Sequence, residues 1–394
     1  MGLLDERSKA QAPPDLRTYR ARLMRLSVAA DRAMLDGLLN DRPGLVIHDH
    51  IIGQLTELVR SLNPSKRFTP PELLEAARAH VNGSPLEEYG VWVYYPWNDR
   101  LVHILDESEF ALVRTDRNRN KITREEQAVL STKKVGVIGL SVGQSVSLTM
   151  ALERSFGEIR LADFDTLELS NLNRIRSGVH ELGIPKAINT AREIAELDPF
   201  LNVTIFPEGV TRDNVDTFLT DGGKLDVLVE ECDSVDVKIL ARQRAKAFGI
   251  PVVMDTSDRG LIDVERFDLE PERPIMHGRM AHLDLSVTDK PMLPDQELEF
   301  ILTMVGKETL SKKMLDSFPE IGKSLVTWPQ LGAHVVLGGA LAGDVCRNIL
   351  LGQMSWSGRW QVDLDDLLAI QGSKVLVRSA TEEDQEKDIA KNVS

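Results

Sequence analysis

The sequence predicts an α/β fold in which a mostly parallel sheet carries helices on both faces, next to an N-terminal α+β accessory domain. From residue 134 onward, short β-branched runs alternate with longer helical runs, which is typical of a parallel sheet covered by helices. A glycine-containing turn follows the first of these strands, and acids, amides and cations follow the second. Because ligands bind where such strands end, this order predicts a Rossmann-like fold with a site at the strand ends.

Residues 1–110 are expected to form the accessory domain. Apolar positions at helical spacing predict a helix over 15–40, and two more are predicted near 50–62 and 72–82. The β-rich runs of 90–105 flank a Pro-Trp-Asn-Asp turn, which predicts a hairpin. This region indicates no chemistry of its own.

Residues 111–370 carry the alternation. The rhythm is lost over 258–325, which is expected to be a crossover or an insertion, and 371–394 are expected to form a polar tail. Strands are predicted at 134–140, 158–165, 201–208, 225–232, 250–257 and 359–368, and helices at 145–156, 185–198, 211–219, 235–248 and 328–352.

Composition limits the classes of function. The net charge of −14 argues against nucleic acid as the main partner. No apolar run is long enough for a membrane span, and no secretory signal is evident. Cys232 and Cys346 are the only cysteines, so neither a disulfide framework nor a four-thiolate structural zinc site is expected. A cytoplasmic location is expected, and both cysteines are expected in the core.

The turn after the first strand of the alternation fits two chemistries. Gly139, Ser141 and Gly143 stand between a strand and a helix, where backbone amides and the helix N-terminus bind phosphate. The same residues spell G-x-S-x-G, the nucleophile elbow of serine hydrolases. That alternative makes Ser141 the nucleophile and requires a later acid and histidine, such as Asp255 followed by His277, His282 or His334.

Polar residues accumulate after the next strand. Asp163 stands where an acid holds ribose hydroxyls after a glycine-rich turn. The residues beyond it supply a second acid, two amides and two cations, which suit a triphosphate with its magnesium better than a simple dinucleotide. These further candidates are Asp165, Asn171, Asn173, Arg174 and Lys186.

The pattern D-x-D-x(5)-N-x-x-R followed by Lys resembles the ATP-binding signature of the E1/ThiF/MoeB superfamily. The resemblance assigns ATP binding to the matching residues of the cluster just described. It also places Asp233, within VEECDSVDVK, beside the reacting phosphate or its magnesium. Arg117, with Arg119 close behind, matches an arginine that reaches a partner's ATP, which implies a homodimer. The GLSVG form of the turn and the N-terminal extension resemble a MoeY-like bacterial branch.

The resemblance implies an adenylyltransferase that activates a carboxylate with ATP and releases pyrophosphate. The carboxylate is a protein or peptide C-terminus, including that of a ubiquitin-like protein, or a small acid. Catalysis is assigned to Arg174, Lys186, Asp233 and Arg117, without a cysteine thioester because no cysteine occurs between 233 and 345. Alternatives are a non-catalytic E1-like partner, the Ser141 hydrolase and a nicotinamide-dependent oxidoreductase. Residues 256–260 either line the acceptor side or form an ordinary turn.

Overall fold

The computed structural model of the protein describes residues 16–285 and 294–368. The tail expected at 371–394 lies outside these residues. No helix in the described ranges combines the length and the apolar character that crossing a membrane requires.

The N-terminal region is built on a four-stranded sheet in the order β1-β3-β4-β2. Strand β3 pairs antiparallel with β1 and β4, and β2 runs parallel to β4. Helices α2 and α3 pack on each other through an apolar cluster that includes Leu55, Leu58 and Ala77. The strands are β1 (Arg22–Met24), β2 (Val46–Asp49), β3 (Val91–Tyr95) and β4 (Arg100–Ile104), and the helices are α1 (Ala29–Asp41), α2 (Ile51–Leu62) and α3 (Pro70–His80).

The helix predicted over 15–40 is wrong in its first half. Residues 22–24 form β1, and the helix begins only at Ala29. Leu23 pairs with Val93 across the sheet, so a distant strand satisfies the backbone that the local spacing assigned to a helix. Strand β2 was not predicted, and its exposed valine and isoleucine give it no buried face. The hairpin over 90–105 is confirmed by β3 and β4.

The second sheet has seven strands in the order β11-β10-β9-β8-β5-β6-β7. Strands β5 to β9 are parallel, whereas β10 and β11 add an antiparallel edge. The strands are β5 (Lys134–Ile138), β6 (Glu158–Ala162), β7 (Asn202–Phe206), β8 (Val227–Glu230), β9 (Val252–Thr256), β10 (Leu261–Glu265) and β11 (Gly358–Gln361).

Helices cover both faces of this sheet. One face packs against α6, α7 and α12, and the other packs against α8 and α9. This confirms the predicted Rossmann-like fold class. The helices are α4 (Glu107–Arg114), α5 (Arg124–Leu130), α6 (Gly143–Glu153), α7 (Lys186–Leu197), α8 (Val215–Thr220), α9 (Val235–Phe248), α10 (Pro294–Val305), α11 (Lys312–Ser317), α12 (Gly332–Leu350) and α13 (Leu364–Leu367).

The strand order fixes where a site can form. From β5 the chain proceeds outward through β6 and β7, and then returns to add β8 and β9 on the other side of β5. The order therefore reverses between β5 and β8. Loops at their carboxyl ends diverge there and leave a crevice, which is where open α/β sheets bind ligands.

The region expected to be a crossover contains an unpredicted strand. Strand β10 pairs antiparallel with β9 and with β11. The final strand is shorter than predicted: it ends at Gln361, and Asp363 caps the short helix α13 by accepting a hydrogen bond from Asp365 N. Strand β10 forms a hairpin with β9, in which Leu261 lies opposite Thr256, and only its pairing with β11 joins residues far apart in the chain. The predicted domain boundaries at 110 and 370 remain predictions.

Candidate active site

The turn after β5 lies so close to the end of β8 that only glycine, which has no Cβ atom, fits there. Gly139 has a φ of 84°, and a Cβ there would lie 2.6 Å from the backbone nitrogen of Cys232. Glu231 N donates to Ile138 O at 2.8 Å and locks the two strand ends together. Glycine is therefore required both by conformation and by contact.

Asp163 ties the end of β6 to the same turn. Its Oδ2 accepts from Leu140 N at 2.6 Å, and its Oδ1 accepts from Asp165 N at 2.8 Å. Burial raises the pKa of this carboxyl, while Lys186 and the two amides act in the opposite direction. Asp163 thus shapes the turn and keeps a negative charge beside it.

Lys186 is the buried cation of the site. It begins α7, is 5% exposed, and donates to Asp165 Oδ2 at 2.8 Å and to Ser141 Oγ at 3.1 Å. The loop from Asp165 to Lys186 closes on itself, because Lys186 N donates to Asp165 O at 2.9 Å and Thr166 forms a bridge with Pro185. A residue 45 positions after Ser141 thereby reaches the turn.

Arg174 and Asp233 lie on different loops, and their opposite charges interact. Arg174 Nη1 donates to Asn173 Oδ1 at 2.9 Å, and Asp233 counteracts the lowering of the Arg174 pKa by burial. The Asp233 side chain is exposed to solvent inside a recess. The walls of this recess displace water from around the carboxyl group, and this desolvation raises the pKa of Asp233. Lys238, Arg174 and Lys186 oppose that shift.

These strand ends enclose a cleft of about 550 Å³, counted to its open mouth. We call it the strand-end cleft. It has an exposed aromatic ring at its rim, Phe164. Its lining includes five residues predicted from the sequence: Gly139, Ser141, Asp163, Asp165 and Asp233.

Four other predicted residues have different surroundings. Asn171 is buried, and its Oδ1 accepts from Glu168 N in a capping box. Asn173 Nδ2 donates to Gln330 O at 2.8 Å. Gly143 begins α6, where a Cβ would lie 2.6 Å from Val137 Cγ1. Arg117 is exposed, and its neighbour Asn118 contacts the C-terminal end of α6, so Arg117 is not brought to this chain's own cleft.

A second cavity, of about 790 Å³, adjoins the strand-end cleft. The two cavities share Glu231, Cys232 and Asp233 in their linings. The predicted acceptor-side segment contributes residues 256–258 to this cavity. We call it the apolar chamber and define it by Met254, Ile301, Met304, Met314, Phe318 and Trp328.

Two carboxyl groups, Glu231 and Asp255, lie under the chamber, and of these the sequence had indicated only Asp255, as the acid of the hydrolase alternative. Asp255 N donates to Glu231 Oε1 at 2.8 Å, and neither Asp255 oxygen has a partner in the structure described here. Burial, together with the neighbouring charge, raises the pKa of Glu231, and burial raises the pKa of Asp255 to about 7. A proton shared between the two carboxyls would satisfy both. No sequence signal pairs them, because they end adjacent strands 24 residues apart.

An ion network behind the chamber supports this floor. Arg242 is fully buried and pairs with Glu230 and with Glu265, the latter at 2.9 Å. Lys238 Nζ donates to Glu230 Oε1 at 3.0 Å. Although burial alone would raise it, Lys238 and Arg242 lower the pKa of Glu230 to about 2. The network therefore holds the end of β8 in place.

The contacts of Ser141 favour the phosphate interpretation over the hydrolase. Its hydroxyl oxygen accepts from Lys186, whereas the His277 ring contacts Asp263 at 3.0 Å and Arg273. The carboxyl of Asp255, the acid of the hydrolase hypothesis, accepts no hydrogen bond from a histidine among the described residues. The described contacts thus give Ser141 a cation as its partner.

The strand-end cleft suits a nucleotide with its magnesium ion. A glycine turn leaves space for phosphate, Lys186 and Arg174 supply positive charge, and Asp233 supplies a carboxylate at the mouth. Among the described residues, no three histidine, cysteine or acidic side chains gather into a metal-binding group. A metal held jointly by Asp233 and phosphate oxygens needs no such group.

Comparison with known proteins identifies the class. Residues 115–270 match the ThiF family model. The chain is 43% identical over 342 residues to the uncharacterized protein MT1398 of Mycobacterium tuberculosis, covering 86% of this chain and 44% of that protein. It is 24% identical over 174 residues to the sulfur carrier protein adenylyltransferase of Thermus thermophilus, covering 43% of this chain and 60% of that enzyme.

The E. coli tRNA N6-threonylcarbamoyladenosine dehydratase structure aligns with a TM-score of 0.45 at 17% identity, covering 61% of this chain and 94% of that one. The chain spans less than two thirds of the length of the two relatives above. The matched segment contains the glycine turn and every cleft residue named so far. Residues 115–270 therefore carry a domain of the ThiF family.

Proposed function

We propose that the protein is an E1-like adenylyltransferase that activates a carboxylate with ATP and releases pyrophosphate. The convergence of Lys186, Ser141, Asp165 and Asp233 on one cleft carries this proposal. The residues come from the three connections that follow β5, β6 and β8. Phosphate binding accounts for their shared location, and one relative, from Thermus thermophilus, is named as a sulfur carrier protein adenylyltransferase.

The proposed chemistry follows from the charges. A carboxylate oxygen attacks the α-phosphorus of ATP, the bond to the bridging oxygen breaks, and pyrophosphate leaves. Both reactants are anions, so the cleft must supply positive charge where negative charge accumulates. Lys186 and Arg174 do so. Asp233 would hold magnesium, which neutralises phosphate charge when bound. No general base is needed, because the carboxylate is already ionised near neutral pH.

The proposal includes no cysteine thioester. Cys232 Sγ donates to Glu230 Oε1 at 3.0 Å, and burial beside that carboxylate raises its pKa. Burial likewise raises the pKa of Cys346, inside α12. Both thiols are therefore held in the protonated form, which is the poor nucleophile.

ATP–pyrophosphate exchange in the presence of candidate carboxylates tests the proposal. Arg174→Ala and Asp233→Ala should each lower exchange by about 10²–10³-fold, the usual cost of one charge-stabilising group. Arg244→Ala and Asp216→Ala remove an exposed ion pair on α9 and α8 and should leave exchange unchanged. Exchange that survives both cleft substitutions would refute the proposed site.

We propose further that the protein works as a homodimer in which Arg117 serves the partner's cleft. Arg117→Ala and Lys186→Ala should each be inactive alone. Mixing them should restore about a quarter of the wild-type exchange, since half of the dimers are mixed and each holds one intact site. Absence of recovery in a mixture shown to exchange subunits would remove Arg117 from the mechanism.

A further inference from the structure

We propose that the carboxylate substrate is a small acid with a bulky apolar body, and that this body occupies the apolar chamber. The inference rests on the proposed function, because it names the substrate of the same site. It narrows the proposed carboxylate substrate from a protein tail, a peptide or a small acid to one chemical class.

The first argument is position. The chamber and the strand-end cleft share Glu231, Cys232 and Asp233. A ligand whose apolar body fills the chamber can therefore place its polar end at Asp233. That end would enter the field of Arg174 and Lys186, which act on Asp233 from the cleft side. The reacting carboxylate and the α-phosphate can meet only at this junction.

The second argument is the chemistry of the walls. Met304 is buried, and Ile301, Met314, Phe318 and Trp328 surround the chamber with partly buried apolar surface. Its volume is about 790 Å³ when the space at its open mouth is included. Methionine side chains adapt to irregular apolar shapes, so these walls suit an alkyl or aryl body.

The third argument excludes a glycine-ended protein tail from this chamber. An extended backbone carries an N–H and a C=O at each residue, and burial without partners is costly for both. The side of the chamber formed by Ile301, Met304 and Phe318 offers no hydrogen-bonding side chain, because the polar residues 256–258 lie together at the end of β9. A tail of small residues would also leave the apolar walls uncovered. An apolar acid has one polar end and avoids both costs.

The chamber floor agrees with an acid that points outward. Glu231 and Asp255 form a buried carboxyl pair, and Asp258 accepts from Ser311 N and Ser311 Oγ, each at 2.7 Å. A second carboxylate placed deep in the chamber would meet these acids. The ligand's carboxylate is therefore directed away from Asp255 and Asp258 and toward Arg174 and Lys186, the cations that act on Asp233.

Two readouts separate this inference from the proposed function. Calorimetry measures the binding of octanoate, 4-phenylbutyrate, acetate and a Gly-Gly-ended hexapeptide to the full chain in the presence of a non-hydrolysable ATP analogue. Exchange assays then measure kcat/KM for the same four compounds. Each buried methylene should improve kcat/KM by roughly fourfold, so octanoate should exceed acetate by roughly a hundredfold or more.

Variants of residues that line the apolar chamber test whether the acid binds there. Ile301→Lys places a charge in the wall, and Met314→Trp fills the space. Both should lower kcat/KM for octanoate by about tenfold or more, while the Kd for ATP changes by less than about twofold. Met314→Leu conserves volume and should behave as wild type. Val326→Lys adds the same charge at a residue that is 96% exposed and should also have no effect.

Each possible outcome supports or overturns either this inference or the proposed function. Preferred binding and exchange with octanoate or 4-phenylbutyrate, lost in Ile301→Lys and Met314→Trp alone, supports the inference. Exchange with the hexapeptide and no binding of either apolar acid overturns it and leaves adenylation standing. Binding of the apolar acids to the chamber without any exchange supports the chamber as a binding site and overturns the proposed function. Apolar acids that bind equally well to both chamber variants overturn the inference.

Discussion

The strand-end cleft holds charged side chains that are paired with one another, whereas methionines and aromatic rings form one side of the apolar chamber beside it. In the cleft, Lys186 is fixed by Asp165 and Ser141 before any ligand arrives. In the chamber, these apolar side chains define the shape, and the Asp255 carboxyl in the floor has no hydrogen-bond partner among the described residues. Preorganised charge suits a ligand of constant structure, and adaptable apolar walls suit one whose body varies among relatives.

The largest expected effect tests the cleft. Lys186→Ala should lower ATP–pyrophosphate exchange by about 10²–10³-fold, because the buried cation is lost where phosphate charge accumulates. The free energy of unfolding should change far less, since the partner left behind, Asp165, is half exposed. Exchange kinetics and urea denaturation check the two parts.

Lys224→Ala is the matched control, because Lys224 is an exposed lysine that contacts backbone carbonyls at the end of α9. It should keep full exchange. If Lys186→Ala instead unfolded the protein without a specific catalytic loss, the cleft would be a structural ion cluster, and the contrast with the chamber would disappear.

The next effect tests the packing beneath the chamber. A Cβ at Gly338 would overlap the Asp255 carboxyl, so Gly338→Ala should lower the free energy of unfolding by about 1–3 kcal/mol. Gly37→Ala, in helix α1 with open space around it, should raise stability by about 0.5–1 kcal/mol. Urea denaturation of both variants checks the opposite signs. Equal effects would mean that α12 does not press on the carboxyl pair.

The smallest effect concerns the pH dependence of stability. The pKa of Asp255 is raised to about 7 by burial, so the folded state holds a proton that the unfolded chain releases near pH 4. This stabilisation is complete below the unfolded pKa and is lost as pH rises through about 7. Relative to wild type, Asp255→Asn should therefore gain stability as the pH rises from about 4 to about 7, by up to about 1.4 kcal/mol per pH unit.

Urea denaturation at several pH values measures that slope. Asp316→Asn, in an exposed ion pair with Lys312, is the control and should run parallel to wild type. Parallel curves for Asp255→Asn as well would show that the two carboxyls do not share a proton.

The cleft could largely be predicted from sequence, and the chamber could not. Gly139, Asp163, Lys186 and Asp233 follow strands whose local pattern is strong, and parallel strands bring their carboxyl ends to one edge. The order of the parallel strands in the sheet then brings these residues together. The chamber draws Met254 from a strand end and Ile301 to Trp328 from a stretch without regular periodicity. Only the folded chain shows that these residues share a wall.

The same distinction explains the errors in the fold. Strands β5, β6, β8 and β9 are almost entirely buried and are predicted by their apolar runs. Strands β1 and β10 were not predicted, and each pairs with antiparallel neighbours in its sheet. Asn171 and Asn173 illustrate a different limit. Their motif positions predict ligand contacts, but in the structure Asn171 caps a turn and Asn173 binds Gln330 O. A sequence motif records which residues occur, and not how each side chain is used.

Isotope transfer tests the central claim most directly. The acid that supports the fastest exchange is labelled with oxygen-18 in its carboxylate and incubated with ATP and a nucleophile such as hydroxylamine. Attack on the α-phosphorus followed by acyl transfer predicts AMP that carries one labelled oxygen and pyrophosphate that carries none. Unlabelled AMP, or label in the pyrophosphate, would contradict adenylation of the carboxylate at this site.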